Sequence, residues 1–90
     1  MERLLIIDDD TETVKIWKDY FEHRGYDVMF ALDTASGVDK ARTALPGCIL
    51  LDVRFDQEGD EAGYYACKRI REFYEGPVIM LSAYKVEPLE

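Results

Sequence analysis

Three short apolar runs in this chain each lead directly into a side chain that can bind a cation or an oxyanion. Leu4-Leu5-Ile6-Ile7 runs into Asp8-Asp9-Asp10, Cys48-Ile49-Leu50-Leu51 into Asp52, and Val78-Ile79-Met80-Leu81 into Ser82-Ala83. Three adjacent carboxylates repel one another and acquire raised pKa values unless a cation or a proton relieves them, which points to a hard metal ion. Magnesium (Mg2+) suits such a site: it takes oxygen ligands, keeps several waters, and needs only two or three carboxylates and a backbone carbonyl from the protein. An ionised Asp52 beside the cation could attack a phosphoryl group whose charge the metal neutralises, giving an acyl phosphate. The Ser82 hydroxyl would then donate to a phosphoryl oxygen, a contact that forms only once the phosphate has arrived.

The elements that must position these groups follow from the apolar pattern. Continuous apolar runs this short, bounded by polar residues, read as strands buried on both faces; such strands form parallel sheets whose carboxyl edge binds ligands. Between them, Asp10 or Thr11 caps a helix carrying Val14, Ile16, Trp17, Tyr20 and Phe21 toward the sheet, closed by Gly25. Residues 26–32 read as a second strand. Asp33 or Thr34 then caps a helix with Ala35, Val38, Ala41 and Leu45 inward, stopped by Pro46-Gly47. Residues 54–63 read as a solvated polar loop, leading to a third helix with Ala66, Ile70 and Phe73 inward and Lys68, Arg69 and Arg71 outward. Strands alternating with helices imply an α/β fold, a three-layer parallel sheet with right-handed crossovers. A strand order of 2-1-3-4 makes the first, third and fourth strands neighbours, so that Asp8, Asp9, Asp52 and Ser82 meet. Residues 1–90 are expected to form a single domain, with residues 84–90 as a tail.

Composition narrows the partners. A net charge of -8 disfavours direct contact with nucleic acid or anionic lipid, and the apolar stretches are far shorter than a membrane span. Two cysteines, Cys48 and Cys67, without a signal-like amino terminus point to a cytoplasmic chain with free thiols. His23, near a helix end, reads as a surface residue.

From Leu4 to Ala83 the chain resembles the receiver domain of two-component response regulators, a flavodoxin-like, CheY-like family. The resemblance rests on Ile6-Ile7-Asp8-Asp9-Asp10, on Cys48-Ile49-Leu50-Leu51-Asp52-Val53 and on Pro77-Val78-Ile79-Met80-Leu81-Ser82-Ala83. It implies that Asp52 is the phosphoacceptor, that Asp8 and Asp9 place magnesium, and that the backbone carbonyl of Arg54 is a further ligand. It makes Ser82 the hydroxyl that follows the phosphate and Ala83 the small residue beside it. The implied donor is a sensor histidine kinase or a phosphotransfer protein, docking on the helix around Thr13 to Phe21. The implied module is a phosphorelay switch with at most self-catalysed phosphorylation and dephosphorylation.

The chain departs from that pattern in the loop after Asp52, where Asp56 replaces a proline and Gly63 follows a longer connection than usual. Arg54 adds a cation beside the site. The chain as given stops where the family continues with a further helix, strand and helix, and Lys85 comes too soon after Ser82 to stand for the fifth-strand lysine. A receiver ending there would leave its fourth strand as a bare apolar edge and would self-associate through it, most simply with two-fold symmetry. Two alternatives compete. A pseudo-receiver would keep the fold as a dimerisation or docking surface without phosphorylation. An aspartate-nucleophile phosphohydrolase would pair Asp8 with Asp10, but Glu12 and the shortness of the chain fit that group poorly.

Overall fold

The structure, a computed structural model, describes residues 2–81. Its elements alternate: β1 (Arg3–Ile7), α1 (Thr11–Glu22), β2 (Asp27–Ala31), α2 (Thr34–Ala44), β3 (Cys48–Asp52), α3 (Ala62–Arg71) and β4 (Val78–Leu81). The four strands form one parallel sheet, as the alternating pattern predicts, in the order β2-β1-β3-β4 that the receiver resemblance implies. Side chains alternate across a strand, so each buried strand feeds two cores. Leu5, Ile7, Ile49 and Leu51 face α2 and α3, joining Val38, Ala41, Ala66, Ile70, Phe55 and Tyr74. Leu4, Ile6, Val28 and Leu50 face α1, meeting Val14, Trp17 and Phe21. The result is three layers, with α1 on one face of the sheet and α2 and α3 on the other.

The helical faces differ in detail from the sequence expectation. In α1, Val14, Trp17 and Phe21 pack inward, whereas Ile16 is 65% exposed and Tyr20 is 45% exposed. Residues two apart on a helix do not share a face, so Val14 and Ile16 cannot both reach the sheet. In α2 the buried stripe is Thr34, Gly37, Val38 and Ala41, while Ala35 and Leu45 are exposed. The stripe is rotated because the helix approaches β1 at Gly37, where a Cβ would stand 2.7 Å from the Ile7 side chain. Leu45 takes the left-handed cap conformation with φ of 45° instead of extending the inner face. Phe73 lies beyond the end of α3, half-buried against the core, with the Arg42 guanidinium 4.6 Å from its ring. Arg71, expected to be merely solvated, donates to the carbonyls of Tyr74 (3.0 Å) and Gly76 (2.7 Å) and so ties the entry to β4. The largest departure is in the polar loop, where Phe55 is 1% exposed and fully part of the core.

Candidate functional site

The strand register makes the site. Ile7 of β1 lies beside Leu51 of β3, so Asp8, just past the end of β1, and Asp52, the last residue of β3 and still paired with Leu81 of β4, stand at the same level. Asp8 N–H still donates to the Ala31 carbonyl of β2 at 3.0 Å, and Val53 N–H to Leu81 of β4 at 3.1 Å, which holds both exits in the plane of the sheet. Asp8, Asp9 and Asp52 each offer a carboxylate oxygen, and these atoms lie within 4.8 Å of one another. Each carboxylate is aimed by a backbone amide: Asp10 N–H donates to Asp8 (2.9 Å), Asp56 N–H to Asp9 (2.8 Å) and Val53 N–H to Asp52 (3.0 Å). The three open onto a cleft of about 610 Å³ whose wall also includes Thr13, Trp17, Arg54 and Leu81.

Asp10 stands apart from the trio. Its carboxylate accepts from Glu12 N–H (3.1 Å) and from the Thr13 hydroxyl (2.9 Å), capping α1, and the Thr13 bond is the first cause of a pKa below the usual carboxylate range. An Asp8–Asp10 catalytic pair therefore finds no support in the geometry. Within the trio the direction is opposite. Burial, followed by the charges of Asp52 and Asp9, pushes Asp8 up to about 6 against the Asp10 amide bond, and burial likewise raises Asp52. In both, burial is the leading cause, because it disfavours the charged form. The donor set fits magnesium: all ligands are hard oxygens, and the 4.8 Å spread is close to the roughly 4 Å between opposite oxygens of a magnesium octahedron.

The loop from Arg54 to Glu61 is built against this cluster. Arg54 pairs with Asp60 (3.2 Å) and Asp56 (3.6 Å) at the cleft wall. Gly63 N–H donates to the Val53 carbonyl at 2.8 Å, and a Cβ on Gly63 would collide with the Asp52 carbonyl and stand 2.7 Å from Val53 Cα. The expectation that the loop acids are only solvated fails at Glu58, whose carboxylate accepts from both the backbone N–H and the hydroxyl of Thr34 on α2. Neither that contact nor the Asp56 amide is visible in local spacing, because each joins segments remote in the chain. The isolated Phe55 inside an acidic stretch is the one signal that the loop turns inward. Ser82, Ala83, Lys85 and the expected tail at 84–90 lie outside the described residues.

Residues 4–89 match the response regulator receiver domain family. A parallel α/β sheet with an acidic trio at the carboxyl ends of β1 and β3 defines a receiver-type signalling module, and the chain belongs to the response regulator receiver domain family. It is 29% identical over 83 residues to the transcriptional regulatory protein YxdJ of Bacillus subtilis (strain 168), covering 92% of this chain and 35% of that protein. The chain thus spans about a third of that relative's length. The N-terminal domain of a response regulator/sensory box/GGDEF 3-domain protein from Carboxydothermus hydrogenoformans superposes with a TM-score of 0.85 at 30% identity, over 97% of this chain and 68% of that one. A structure described as histidine kinase ThkA in complex with response regulator protein TrrA gives a TM-score of 0.85 at 21% identity, over 100% of this chain and 76% of that one; at that identity it shows the shared fold alone.

Proposed function

We propose that this chain accepts a phosphoryl group on Asp52 in a magnesium-dependent reaction and acts as a switch module of a two-component system. The observation that carries this reading is the convergence of Asp8, Asp9 and Asp52, from two neighbouring strand ends, within 4.8 Å. Asp8, Asp9, Asp52 and the backbone carbonyl of Arg54 would hold the ion. When bound, such an ion neutralises the oxygens of the incoming phosphoryl group. The Asp52 carboxylate oxygen forms the bond to phosphorus as the bond from phosphorus to the donor's imidazole nitrogen breaks, and that nitrogen keeps the electron pair. The Ser82 hydroxyl would donate to a phosphoryl oxygen beside the small Ala83. Asp52 is an acceptor, not a turnover catalyst, so phosphorylation and loss of phosphate are at most self-catalysed.

The donor would be a sensor histidine kinase or a phosphotransfer protein, a reading supported by family membership and by the fold shared with a regulator that is described in complex with a kinase. Among the described residues no helix is long and apolar enough to cross a membrane, which is compatible with a cytoplasmic module of residues 1–90. Incubation with magnesium and acetyl phosphate tests the acceptor role by intact mass. A gain of one phosphoryl group that vanishes in Asp52→Asn is expected. No gain under saturating donor would favour the alternative, a pseudo-receiver used for docking or dimerisation, for which the lengthened loop between Asp52 and Gly63 is the favouring feature. Among the described residues β4 pairs only with β3, and self-association through its other edge would appear as a dimer in sedimentation at high micromolar concentration. A monomer there would dismiss it.

A further inference from the structure

The buried polar or charged residues among those described are Asp8 and Thr34, and the loop after β3 ties Thr34 to Asp9, the neighbour of Asp8 in the acidic trio. It does so through three fixed points. Phe55 is sunk in the core and exchanges main-chain bonds with Gly59, the Phe55 N–H donating at 3.0 Å and the Gly59 N–H at 2.7 Å. Glu58, inside that small ring, reaches the first turn of α2, where its carboxylate accepts from Thr34 N–H at 3.0 Å and from the Thr34 hydroxyl. Asp56, on the other side of the same ring, donates its N–H to Asp9. The Glu58 contact is strong for two reasons: it satisfies an amide that the helix itself leaves unpaired, and it sets a negative charge at the positive end of the helix dipole.

We infer that Glu58 is a positioning residue for the acidic site: by gripping Thr34 it holds the loop so that the Asp56 amide stays on Asp9, fixing that carboxylate in place for a cation. This rests on the magnesium reading given above. Glu58 is engaged by α2, so it acts through the loop and not by touching the ion. Once the grip is released, the Phe55–Gly59 bonds and the Arg54–Asp56 pair still restrain the ring, but Asp56 loses its tether to α2 and can shift away from Asp9. Asp9 then loses its only aiming donor among the described residues, and a cation must order both groups as it binds.

Amide hydrogen exchange by NMR on the full metal-free chain reads the geometry without any ion. In Glu58→Ala the Asp56 amide should exchange about tenfold faster or more. Thr34→Val, which keeps every charge and one of the two donors, should shift it in the same direction by less, and Glu58→Gln, still an acceptor, should fall between wild type and Glu58→Ala. Magnesium affinity by calorimetry should weaken by about three- to tenfold in Glu58→Ala and by a smaller factor in Thr34→Val. Glu61→Gln, which removes a loop charge and leaves the grip intact, should stay within about twofold. If Glu58→Ala does not fold, Thr34→Val and Glu58→Gln carry the test. Unchanged Asp56 exchange and unchanged magnesium affinity, with only a lowered melting temperature, would overturn the inference and leave the contact as plain stabilisation. Failure of the unaltered chain to bind magnesium would instead overturn the site reading, and the inference with it.

Discussion

Asp8 is the buried member of the acidic trio, and its proton decides how the metal-free site responds to pH. Burial first, then the charges of Asp52 and Asp9, raise its carboxyl to about 6 from an ordinary 3.8, so the folded chain keeps this proton where the unfolded chain has lost it. Its contribution to stability is complete below about 3.8 and is lost as pH rises through about 6; Asp52, raised mainly by burial, acts in the same direction. A cation that binds the ionised carboxylates removes this loss. Magnesium should therefore raise the urea midpoint more at about pH 7.5 than at about pH 5, and equal increments at the two would contradict the assignment. Gly63 is the second residue with a sharp expectation. Gly63→Ala forces a methyl group into the Asp52 and Val53 backbone, so it should cost about 1–3 kcal/mol in chemical denaturation and slow phosphoryl acceptance by shifting Asp52.

At the scale of elements, the loop between β3 and α3 is the part whose chemistry depends most on packing. Phe55 contributes a fully buried ring to the core under α2 and α3, so Phe55→Ala should cost about 3–5 kcal/mol in denaturant unfolding. It should also loosen the loop that carries Asp56. The strands were legible in the sequence because short apolar runs bounded by polar residues, such as Leu4 to Ile7, fit strands covered on both faces; β4 is less covered than that reading has it, with Ile79 49% exposed. The convergence of Asp8 and Asp52 was legible too, since it follows from strand order and register. Helix faces were less so. Ile16 and Leu45 count as apolar in any pattern, yet one lies on the far side of α1 from Val14 and the other terminates α2 in a left-handed turn. The Glu58–Thr34 contact was beyond reach of local reasoning, because its partners are 24 residues apart and neither is apolar.

For the whole molecule, a net charge of -8 with three carboxylates gathered at one edge means that the proposed magnesium site, when filled, should add to global stability. At about a hundred times its dissociation constant, magnesium should add about 2.7 kcal/mol to the unfolding free energy, read as a rise in melting temperature. Asp9→Asn should abolish most of that rise while leaving the metal-free fold intact; an undiminished rise would place the ion elsewhere. The cleft wall has a further property. Trp17, the sole tryptophan of the chain, lines the same opening as Asp8, Asp9 and Asp52 and stacks on Phe21 with ring centroids 5.7 Å apart. Its indole emission comes from a single known place, so the protein carries a built-in optical probe, and ion arrival at the carboxylates, as proposed, should be readable in a stopped-flow cuvette without any added dye.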